Sequence, residues 1–474
     1  MPNHATATDQ QVTALVDFGS TFTKVAVVDI ETGDLLSSGQ STTTVHTDVL
    51  EGLAAAFTSC RPELGAVADL ARRCCSSAGG GLRMVVLGLE EDITTQAARQ
   101  VALNAGGRIA ETFSGLLGPD DIDRLAGLEP DLILLSGGTN GGDTACLVGN
   151  AKSLAKAGLA AVIVVAGNVE AQAEAGRHLE SAGRNWLAAP NVLPEIGVVE
   201  TEKVQIAIRD VFISHVIGGK NLSASVDFTQ MVTLPTPDAV RQGVELLSLG
   251  IDADRGFGPL LVVDVGGATT DVYSVVRSTS IGSQRKELVP SATTSRTVEA
   301  DLGLRWSAEG VVDAAGGLGL LDEDRIARLT DAAAVRVGDP SFLPNAQDEV
   351  DDDVQLAQLA AVIAIHRHAG RQRVGIGPDG VSIRLEGRDL REVPLIVATG
   401  GVFRSNPDVD FATAFNEAFG AFERNVLGPR DVRIVIDRKY VLAAAGLLSS
   451  SHPRAAFRLM SDQLAAPSVE GALT

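Results

Sequence analysis

Two stretches far apart in the chain follow the same plan: an apolar strand that ends in an aspartate, a turn of small residues, and a second strand. They are LVDFGSTFTKVAVVD at residues 15–29 and LVVDVGGATTDVYSV at residues 261–275. Each turn is only a few residues long, and such short connections join antiparallel neighbours. The repeated hairpin therefore predicts an α/β chain with two similar halves, each of which begins at one copy.

The length and charge of the chain limit what it can be. A chain of 474 residues suits two or three domains rather than one. The hydrophobic fraction of 45% and the 50 glycines favour α/β layers joined by many tight turns. The formal net charge of −21 disfavours general attraction to nucleic acid or to an anionic membrane. A nucleotide can still bind locally through backbone N–H groups.

The cysteines and the first residues indicate the compartment. Cys60, Cys74, Cys75 and Cys146 have no C-x-x-C spacing, and a bridge between adjacent Cys74 and Cys75 would close a strained ring. The first ten residues, MPNHATATDQ, lack the basic and apolar regions of a signal peptide. No apolar run approaches the roughly 20 residues that span a bilayer. We therefore expect reduced thiols and a cytoplasmic protein.

The order of predicted elements is similar in the two halves. The first half shows strands at residues 14–17, 24–29 and 35–40, helix 48–59, strand 84–87, helix 96–112, and strand 131–135 before Ser136-Gly137-Gly138. The second half shows the hairpin strands 260–264 and 271–276, a helix at 354–368, and strand 395–398 before Thr399-Gly400-Gly401. DLILLSGGTNGG and PLIVATGGVFRS are therefore predicted to be counterparts.

The region between the halves is harder to assign. AAVIVVAGNVEAQAEAG predicts a buried strand followed by a helix, and TEKVQIAIRDVFISHVI predicts another helix. We assign residues 11–145 to the first half, 146–255 to an extension of that half or an added subdomain, and 256–452 to the second half. Residues 1–10 are predicted to be a disordered tail, and 277–294 a long hairpin or mobile loop. In the C-terminal tail, 453–474, Phe457, Met460 and Leu464 have the spacing of a docked or frayed helix.

The turns of the two hairpins suit phosphate binding. Glycine lets backbone N–H groups approach a phosphate oxygen, because no Cβ intervenes and a positive φ is tolerated. Hydroxyl groups add donors, and a lysine adds a positive charge. The candidate phosphate-binding residues are Gly19, Ser20, Thr21, Thr23 and Lys24 in the first hairpin, and Gly266, Gly267, Ala268, Thr269 and Thr270 in the second.

The aspartates that end the first strand of each hairpin suit a metal ion. A carboxylate repels phosphate, but it can hold a hydrated Mg²⁺ that also contacts the phosphates. We predict that Asp17 and Asp264 are catalytic residues that hold Mg²⁺ through water, and that one of them orients the attacking water. Asp271 lies across the second turn and is predicted to fix the hairpin or to meet a group on the phosphate side.

Taken together, the two hairpins and the later strand with its Gly-Gly pair resemble the actin, Hsp70 and sugar-kinase superfamily. The resemblance implies two ribonuclease-H-like halves that close on ATP in a central cleft, with added α/β subdomain material. DFGSTFTK resembles the first phosphate motif, and DVGGATTDV resembles the second, with Ala268 where a third glycine is common. IVATGGVF resembles the adenosine motif and VLAAAGLLSS a connecting helix, whereas the other connecting helix is not identified.

The same resemblance implies the nucleoside-binding residues. They are Gly400, Gly401, Val402 and Phe403 of the adenosine motif. In VEADLGLRW, Glu299 and Asp301 are further candidates, and the alternative is an ordinary salt-bridged helix start that includes Arg305.

A closer resemblance extends over nearly the whole chain. LVDFGSTFTK, DLILLSGGTNGGDT, AGNVEAQ, NVLPEIGVVETEKVQIAIRDVF, LLVVDVGGATTDVYSV, VEADLGLRW and VATGGVF together resemble the glutamate-mutase accessory family called MutL or GlmL. This family is unrelated to the mismatch-repair protein of similar name. The resemblance implies a Mg-dependent ATPase, with ATP and Mg²⁺ as cofactors, whose partner is an adenosylcobalamin-dependent mutase such as glutamate (methylaspartate) mutase or an aminomutase. The implied role is that of a chaperone-like activator or reactivase, and the oligomeric state stays open.

Several alternatives remain at the level of sequence. A small-molecule kinase of the same fold would need a general base beside the γ-phosphate, and an actin-like filament protein would polymerise with ATP. SGGTNGG is either the structural counterpart of the adenosine motif or a second functional loop with Asn140 and Asp143. The acidic run DEVDDD, residues 348–353, is interpreted as the solvated start of a helix rather than a cation site.

Overall fold

The computed structural model describes residues 11–60, 71–78, 82–217, 222–223, 225–252, 254–276, 294–377, 380–422 and 425–464. The predicted disordered tail 1–10, most of the predicted polar loop at 277–294 and residues 465–474 lie outside the described residues. The chain forms two compact units. The first holds the described residues up to Val28 and those from Leu36 to Ala239, and the second holds Asp29–Leu35 and the described residues from Val240 onward.

The first hairpin lies in a five-stranded sheet of the first unit. In spatial order its strands are β10 (Val232–Pro235), β4 (Ala71–Ser76), β1 (Val12–Phe18), β2 (Phe22–Asp29) and β3 (Leu35–Thr42). Strand β4 runs parallel to both β1 and β10. Helix α1 (Val49–Thr58) buries Val49, Leu53 and Ala56 in the same core as Val16 and Phe18 of β1. The three strands and the helix predicted here are confirmed.

A second sheet is inserted in the chain between β4 and β10. Its strands in spatial order are β6 (Gly107–Ser114), β5 (Leu82–Gly88), β7 (Leu132–Leu135), β8 (Val162–Val165) and β9 (Trp186–Ala188). All four neighbouring pairs are parallel. Counted along the chain, the order is second, first, third, fourth, fifth, which is a doubly wound arrangement.

The inserted sheet is covered on both faces, as parallel sheets generally are. Side chains alternate along each strand, so that Met84 and Val86 enter one core while Val85 and Leu87 enter the other. The first core includes α2 (Gln96–Asn104) and α6 (Glu202–Val211), and the second includes α3 (Pro119–Gly127), α4 (Ala145–Ala157) and α5 (Val169–Ser181). Two π-helical segments, Glu91–Thr95 and Phe212–Ile217, and α7 (Val226–Met231) complete the helices between β4 and β10.

The second hairpin lies in the main sheet of the second unit. Its strands in spatial order are β15 (Thr294–Glu299), β14 (Thr270–Val275), β13 (Leu260–Val265), β18 (Leu395–Gly400) and β19 (Arg433–Ile436). Pairing is antiparallel from β15 to β13 and parallel from β13 to β19. The order matches β3-β2-β1-β4-β10 of the first unit. Both units therefore contain a ribonuclease-H-like sheet, and the predicted fold class with its added α/β material is confirmed.

Helices cover the second sheet and extend the chain. They are α9 (Ala308–Gly317), α10 (Glu323–Gly338), α11 (Gln347–His368), α12 (Gly401–Ser405), α13 (Phe411–Ala421) and α15 (Pro453–Leu464). Two hairpins, β11 (Gly250–Ile251) with β12 (Asp254–Arg255) and β16 (Arg371–Gly377) with β17 (Gly380–Glu386), are also present. The apolar residues of α15 are buried, with Phe457 at 6%, Met460 at 0% and Leu464 at 1% exposure. The predicted helix spacing in the C-terminal tail is thus confirmed as a packed helix.

Two predictions about the first unit are wrong. The predicted helix 96–112 ends at Asn104, because Gly106 adopts a φ of +87° and residues 107–114 then pair with β5 as strand β6. The predicted counterpart of the TGG strand is wrong too, since SGGTNGG follows β7 of the inserted sheet. The strand that takes the place of β18 in the first unit is β4. A local strand-Gly-Gly pattern does not specify which sheet the strand joins.

The connecting helix that the sequence left unidentified is α8 (Thr236–Leu249), which follows β10 as α14 (Val441–Ser449) follows β19. The boundary between the two units falls within α8, after Ala239. In the second unit, a Cβ built on Gly243 would lie 2.4 Å from the Leu442 carbonyl oxygen. The two helices therefore approach closely enough to require glycine at this position.

We predict that Gly243→Ala destabilises the protein by about 1–3 kcal/mol, because the added methyl group overlaps backbone that cannot move independently. Gly317→Ala is the matched control, since no heavy atom lies within 4 Å of a Cβ at that helical glycine. It is expected to be neutral or to stabilise by about 0.5–1 kcal/mol. Urea unfolding monitored by circular dichroism measures both, and equal effects would contradict the close approach.

The described residues contain free cysteines at all four positions, and all four side chains are buried. None of the described helices combines the length and the apolar character that crossing a membrane requires.

Candidate functional site

The turn of the first hairpin is held by a threonine from outside the motif. Gly19 N–H donates to the Phe22 carbonyl at 3.1 Å and closes the turn. The Thr43 hydroxyl donates to the Gly19 carbonyl at 2.9 Å, and Thr43 N–H donates to the Thr21 carbonyl at 2.9 Å. The carbonyl side of the turn is thus occupied by protein.

The carbonyl groups of the second turn are also bound by protein, here by a segment that follows β15. Gly266 N–H donates to the Thr269 carbonyl at 2.9 Å. The carbonyls of Gly266, Gly267 and Ala268 accept bonds from donors at positions 304–307: Leu304 N–H, Arg305 N–H, Trp306 N–H and the Ser307 hydroxyl. A Cβ on Gly303 would lie 2.4 Å from the Ala268 oxygen, so glycine is needed there as well.

The N–H side of both turns is available to a ligand. Among the described residues, no acceptor bonds the N–H groups of Ser20 and Thr21 in the first turn or of Gly267 and Ala268 in the second. Ser20 is exposed, and Gly267 and Ala268 are half-buried. Adjacent N–H groups that point out of a turn make a site for an anion such as a phosphate oxygen. The donor geometry of each turn therefore fits the predicted ligand.

The predicted hydroxyl donors divide into two groups. Thr23 and Thr270 are fully buried, and their hydroxyls contact the Thr43 hydroxyl at 3.1 Å and the Leu302 carbonyl at 2.5 Å. Ser20, Thr21 and Thr269 are at least partly exposed beside the turns. Thr23 and Thr270 are thus packing residues inside the hairpins, whereas the other three side chains remain at least partly accessible.

Asp17 lies at the end of β1, and side chains of Thr236, Lys24 and Cys75 contact its carboxylate. It is 5% exposed. Its Oδ1 accepts a 2.6 Å hydrogen bond from the Thr236 hydroxyl, and its Oδ2 lies 3.3 Å from Lys24 Nζ. The Cys75 thiol donates to Oδ1 at 3.6 Å, and burial raises the pKa of this thiol well above its usual range, with the Asp17 charge acting in the same direction. Cys75 therefore stays a neutral donor.

Asp264 sits at the corresponding end of β13 and is held by a tyrosine. The Tyr440 hydroxyl donates to Asp264 Oδ2 at 3.3 Å. Tyr440 has a left-handed backbone, with a φ of 56°, immediately before α14. Asp437 fixes that helix start, since its Oδ1 accepts the Val441 N–H at 3.1 Å. Burial raises the pKa of Asp437 above its usual value, against the lowering effect of the N–H groups around it.

Asp271 faces a different partner from Asp264. Arg296 Nε donates to Asp271 Oδ1 at 2.8 Å across the β14–β15 pair. Arg296 is 3% exposed. The charge of Asp271 thus compensates a buried guanidinium, which agrees with the predicted role in fixing the hairpin.

The predicted nucleoside motif lies beside the second turn. Strand pairing sets Gly400 against Val265, and a Cβ on Gly400 would lie 2.2 Å from the Val265 oxygen. Gly401 is exposed with no heavy atom within 4 Å of a Cβ position, so its face is open. Phe403 is 1% exposed and packs on Phe411 with ring centroids 5.0 Å apart. The motif therefore presents exposed backbone at Gly401, whereas Gly400 and Phe403 are buried and Val402 is half-buried.

Glu299 and Asp301 reach the same edge of the sheet, since Glu299 pairs with Thr270. Both carboxylates bind Arg367: Nη1 lies 3.0 Å from Glu299 Oε2 and 2.7 Å from Asp301 Oδ1. Burial raises the pKa of Asp301, but the hydrogen bonds and charge of Arg367 hold it below its usual value. The salt-bridge alternative accounts for these contacts, although Asp301 remains half exposed.

The acidic run 348–353 is not wholly solvated, which corrects the prediction. Helix α11 begins at Gln347, so the run lies inside its first two turns. Asp353 is 2% exposed and accepts bonds from Arg305 Nη2 at 2.8 Å and from Arg336 Nε at 2.6 Å. Arg305, which the sequence grouped with Glu299 and Asp301, therefore belongs to this buried cluster.

The SGGTNGG loop is held by two asparagines that sequence inspection did not single out. Asn191 Nδ2 donates to the Gly138 carbonyl and to Asn140 Oδ1, each at 2.9 Å, and Asn168 Nδ2 donates to the Gly142 carbonyl at 3.2 Å. Asp143 Oδ1 accepts the Cys146 N–H at the start of α4. The loop is thus a cross-linked element of the inserted sheet, and its side chains 139–145 are exposed or half-buried.

Sequence inspection missed Thr43, Thr236, Cys75, Tyr440 and Asp437 because each comes from a separate part of the chain. None of them stands in a recognisable motif. Only Tyr440 could have been noticed in the sequence, because it directly precedes the small-residue helix.

The chemistry of each carboxylate, taken by itself, suits a hydrated magnesium ion that also contacts phosphate. No group of three or more His, Cys, Asp or Glu side chains that could hold a metal occurs within the described ranges. Mg²⁺ is commonly held by one or two carboxylates together with waters and substrate phosphates rather than by a full protein cage. Asp17 and Asp264, each beside an N–H-bearing turn, are consistent with that arrangement.

Comparison with known proteins assigns the chain to a family. The family model described as MutL protein matches residues 13–464. Protein MutL of Clostridium tetanomorphum is 34% identical over 459 residues, which cover 95% of this chain and 98% of that protein.

Two solved structures are similar at lower identity. Glycerol dehydratase reactivase is 11% identical, and the match covers 93% of this chain and 100% of the reactivase chain with a TM-score of 0.33. The activator of 2-hydroxyisocaproyl-CoA dehydratase from Clostridium difficile, solved with bound ADPNP, is 9% identical, covers 94% of this chain and 95% of its own, and has a TM-score of 0.29. On the family model and the Clostridium relative together, the chain belongs to the MutL protein family.

Proposed function

We propose that this protein binds and hydrolyses ATP with Mg²⁺ and uses the cycle to activate or reactivate an adenosylcobalamin-dependent mutase, such as glutamate mutase or an aminomutase. Membership of the MutL family carries the partner assignment. The ATP assignment rests chiefly on one observation, the pair of turns whose carbonyls are bound by protein and whose N–H groups are left for a ligand.

Each role in this proposal is assigned to particular atoms of the chain. The N–H groups of Ser20, Thr21, Gly267 and Ala268 bind phosphate oxygens, and Lys24 adds a positive charge at the first turn. Asp17 and Asp264 hold Mg²⁺ through water, and one of them orients the attacking water. When bound, Mg²⁺ neutralises charge that develops on the phosphates. The backbone of Gly400 and Gly401 lies against the nucleoside.

The contacts around the two aspartates support these roles. Thr236 and Cys75 leave Asp17 with its carboxylate fixed in direction, and Tyr440 does the same for Asp264. A preorganised carboxylate needs no rearrangement when the metal and the phosphates bind, which lowers the barrier to the chemical step. Tyr440 holds its hydroxyl at Asp264 from a left-handed backbone conformation, which is uncommon for a residue other than glycine.

The test uses the full chain and the mutases encoded in the same genome. Each mutase is inactivated by turnover, then incubated with the chain, fresh adenosylcobalamin and either MgATP or MgATP with EDTA. We expect mutase activity to return only with MgATP and ATP hydrolysis to accompany it. Phosphoryl transfer to sugars or carboxylates without reactivation would favour a kinase, and nucleotide-dependent sedimentation would favour a filament protein.

A further inference from the structure

The carboxyl edge of the inserted sheet has no role in the proposed ATP site. We define this edge as the residues that follow its five parallel strands: 89–95, 115–121, 136–145, 166–170 and 189–201. In doubly wound sheets the loops at the carboxyl ends of the strands form the binding surface. All five loops lie within the described first unit.

The carboxyl edge is apolar at both ends. Leu116 follows β6 at one side of the sheet and is 66% exposed, while Ile196 and Val198 follow β9 at the other side and are each 49% exposed. Val169 follows β8 and is 48% exposed. Ten large apolar side chains are exposed among the described residues, and these four of them lie in loops that make up about a tenth of those residues. Exposed apolar side chains are therefore enriched on the two flanks of this edge, and enrichment of this kind is typical of surfaces that bind another molecule.

The carboxyl edge also carries charge of one sign. Its loops contain acidic residues and no lysine, arginine or histidine. The acidic residues are Glu90, Glu91, Asp92, Asp120, Asp121, Asp143, Glu170, Glu195 and Glu200. The neighbouring Arg124 of α3 pairs with Asp121 and with Glu111. Burial raises the pKa of Cys146 to about 11, and the charges of Asp143 and Glu90 act in the same direction.

The centre of the carboxyl edge carries few side chains. The loop after β7 carries glycine at positions 137, 138, 141 and 142, and its residues Gly141–Ala145 are exposed. Gly141 has a φ of +76° with no heavy atom within 4 Å of a Cβ position. The loop is nevertheless fixed by Asn168 and Asn191. Because this hydrogen-bonded centre carries few side chains, a second protein surface can approach its backbone between the apolar flanks.

The size and charge of the edge decide what class of partner fits. Five strands spaced by about 4.8 Å place the two apolar flanks roughly 19 Å apart, which is the scale of a protein interface and exceeds a small ligand. Nucleic acid and anionic membranes are repelled by this charge. A protein surface with lysine or arginine around apolar side chains complements it.

We propose that the carboxyl edge is the surface through which this chain binds its partner enzyme, and that the partner presents a basic surface with apolar side chains to it. The inference rests on the proposed function for the identity of that enzyme. The contacts combine apolar burial by Leu116, Val169 and Ile196 with charge pairing by Glu90, Asp143 and Glu170. Electrostatic pairing of this kind raises the association rate and makes binding sensitive to salt.

The test measures binding of the full chain to the mutase holoenzyme by surface plasmon resonance at low and high salt. Glu170→Lys is compared with Glu180→Lys, which reverses an exposed charge at the other end of α5. Leu116→Ser with Ile196→Ser is compared with Leu343→Ser, which is 58% exposed in the second unit. We expect each edge variant to weaken binding at least about tenfold and each control less than about twofold, with basal ATP hydrolysis unchanged.

The possible outcomes distinguish a failure of the proposed binding surface from a failure of the proposed function. If wild-type chain binds a mutase and the edge variants bind with the same Kd, the proposed surface is wrong and the proposed function stands. If wild-type chain binds none of the mutases at either salt concentration, the proposed function fails and this partner assignment fails with it. Salt-sensitive binding that only the edge variants lose supports both.

Discussion

Asp264→Asn is expected to lower the rate of ATP hydrolysis by at least about 100-fold while the free energy of unfolding stays within about 1 kcal/mol of wild type. The amide keeps the shape of the side chain and can still accept the hydrogen bond from Tyr440. It loses the charge that, in the proposed mechanism, holds Mg²⁺ through water. Hydrolysis is measured at saturating MgATP and stability by urea unfolding.

Asp271→Asn is the matched control on the same hairpin, directly opposite Asp264 in the strand pairing. Here we expect the reverse result. The amide can still accept a hydrogen bond from the buried Arg296, but it no longer compensates the guanidinium charge, which costs about 1–3 kcal/mol of stability. Hydrolysis by the folded fraction at low temperature should stay within about threefold of wild type.

The comparison of the two aspartates discriminates between chemistry and folding. Equal losses of hydrolysis in both variants would show that the hairpin as a whole is sensitive and that Asp264 has no special role. Asp17→Asn extends the test to the first unit, where Lys24, Thr236 and Cys75 hold the carboxylate. Unchanged hydrolysis in both Asp17→Asn and Asp264→Asn would contradict the metal assignment.

Local patterns predicted the hairpins and the strand before Gly400 because their information lies in consecutive residues. A short apolar run, a glycine turn and a second run of strand-forming residues are enough to predict β13 and β14. The supports of the two turns could not be predicted in this way. Thr43 and the segment at 304–307 reach the turns only after the sheet and its connections have formed.

The inserted sheet shows a second limit of sequence patterns. Residues 107–114, GRIAETFS, show no clear alternation of apolar and polar side chains, and most of them are half-buried or exposed. In the sequence, Gly106 is the one strong signal that the preceding helix ends before this segment. Pairing with β5 decides that they form a strand. In the same way, the position of β7 in the inserted sheet depends on its neighbours β5 and β8, which are distant in sequence.

Charge runs are misjudged for a related reason. In DEVDDD, adjacent Asp352 and Asp353 have the same chemistry, but they point to different sides of α11. Asp352 pairs with Arg328, whose side chain is 56% exposed, whereas Asp353 is buried against Arg305 and Arg336. Helix geometry separates consecutive residues by about 100° around the axis, so the environment of each depends on what packs against it.

Asp353→Ala is expected to cost about 3–5 kcal/mol of unfolding free energy, or to prevent folding, because it leaves two buried guanidinium groups without their shared carboxylate. Arg336 is 2% exposed and Arg305 is 8% exposed, so water cannot replace the lost partner at low cost. Asp352→Ala is the matched control and should cost about 0–1 kcal/mol, since its partner is largely solvated. Urea unfolding measures both variants.

A milder variant keeps the test informative if Asp353→Ala does not fold. Asp353→Asn retains an oxygen that can accept from Arg305 or Arg336 but removes the charge, so its loss of stability should fall between those of Asp353→Ala and Asp352→Ala. If Asp352→Ala and Asp353→Asn proved equally stable, the buried cluster would contribute no more than a surface ion pair. The two arginines would then have to be satisfied by other groups, such as the Ala332 and Glu349 carbonyls that already accept bonds from Arg336.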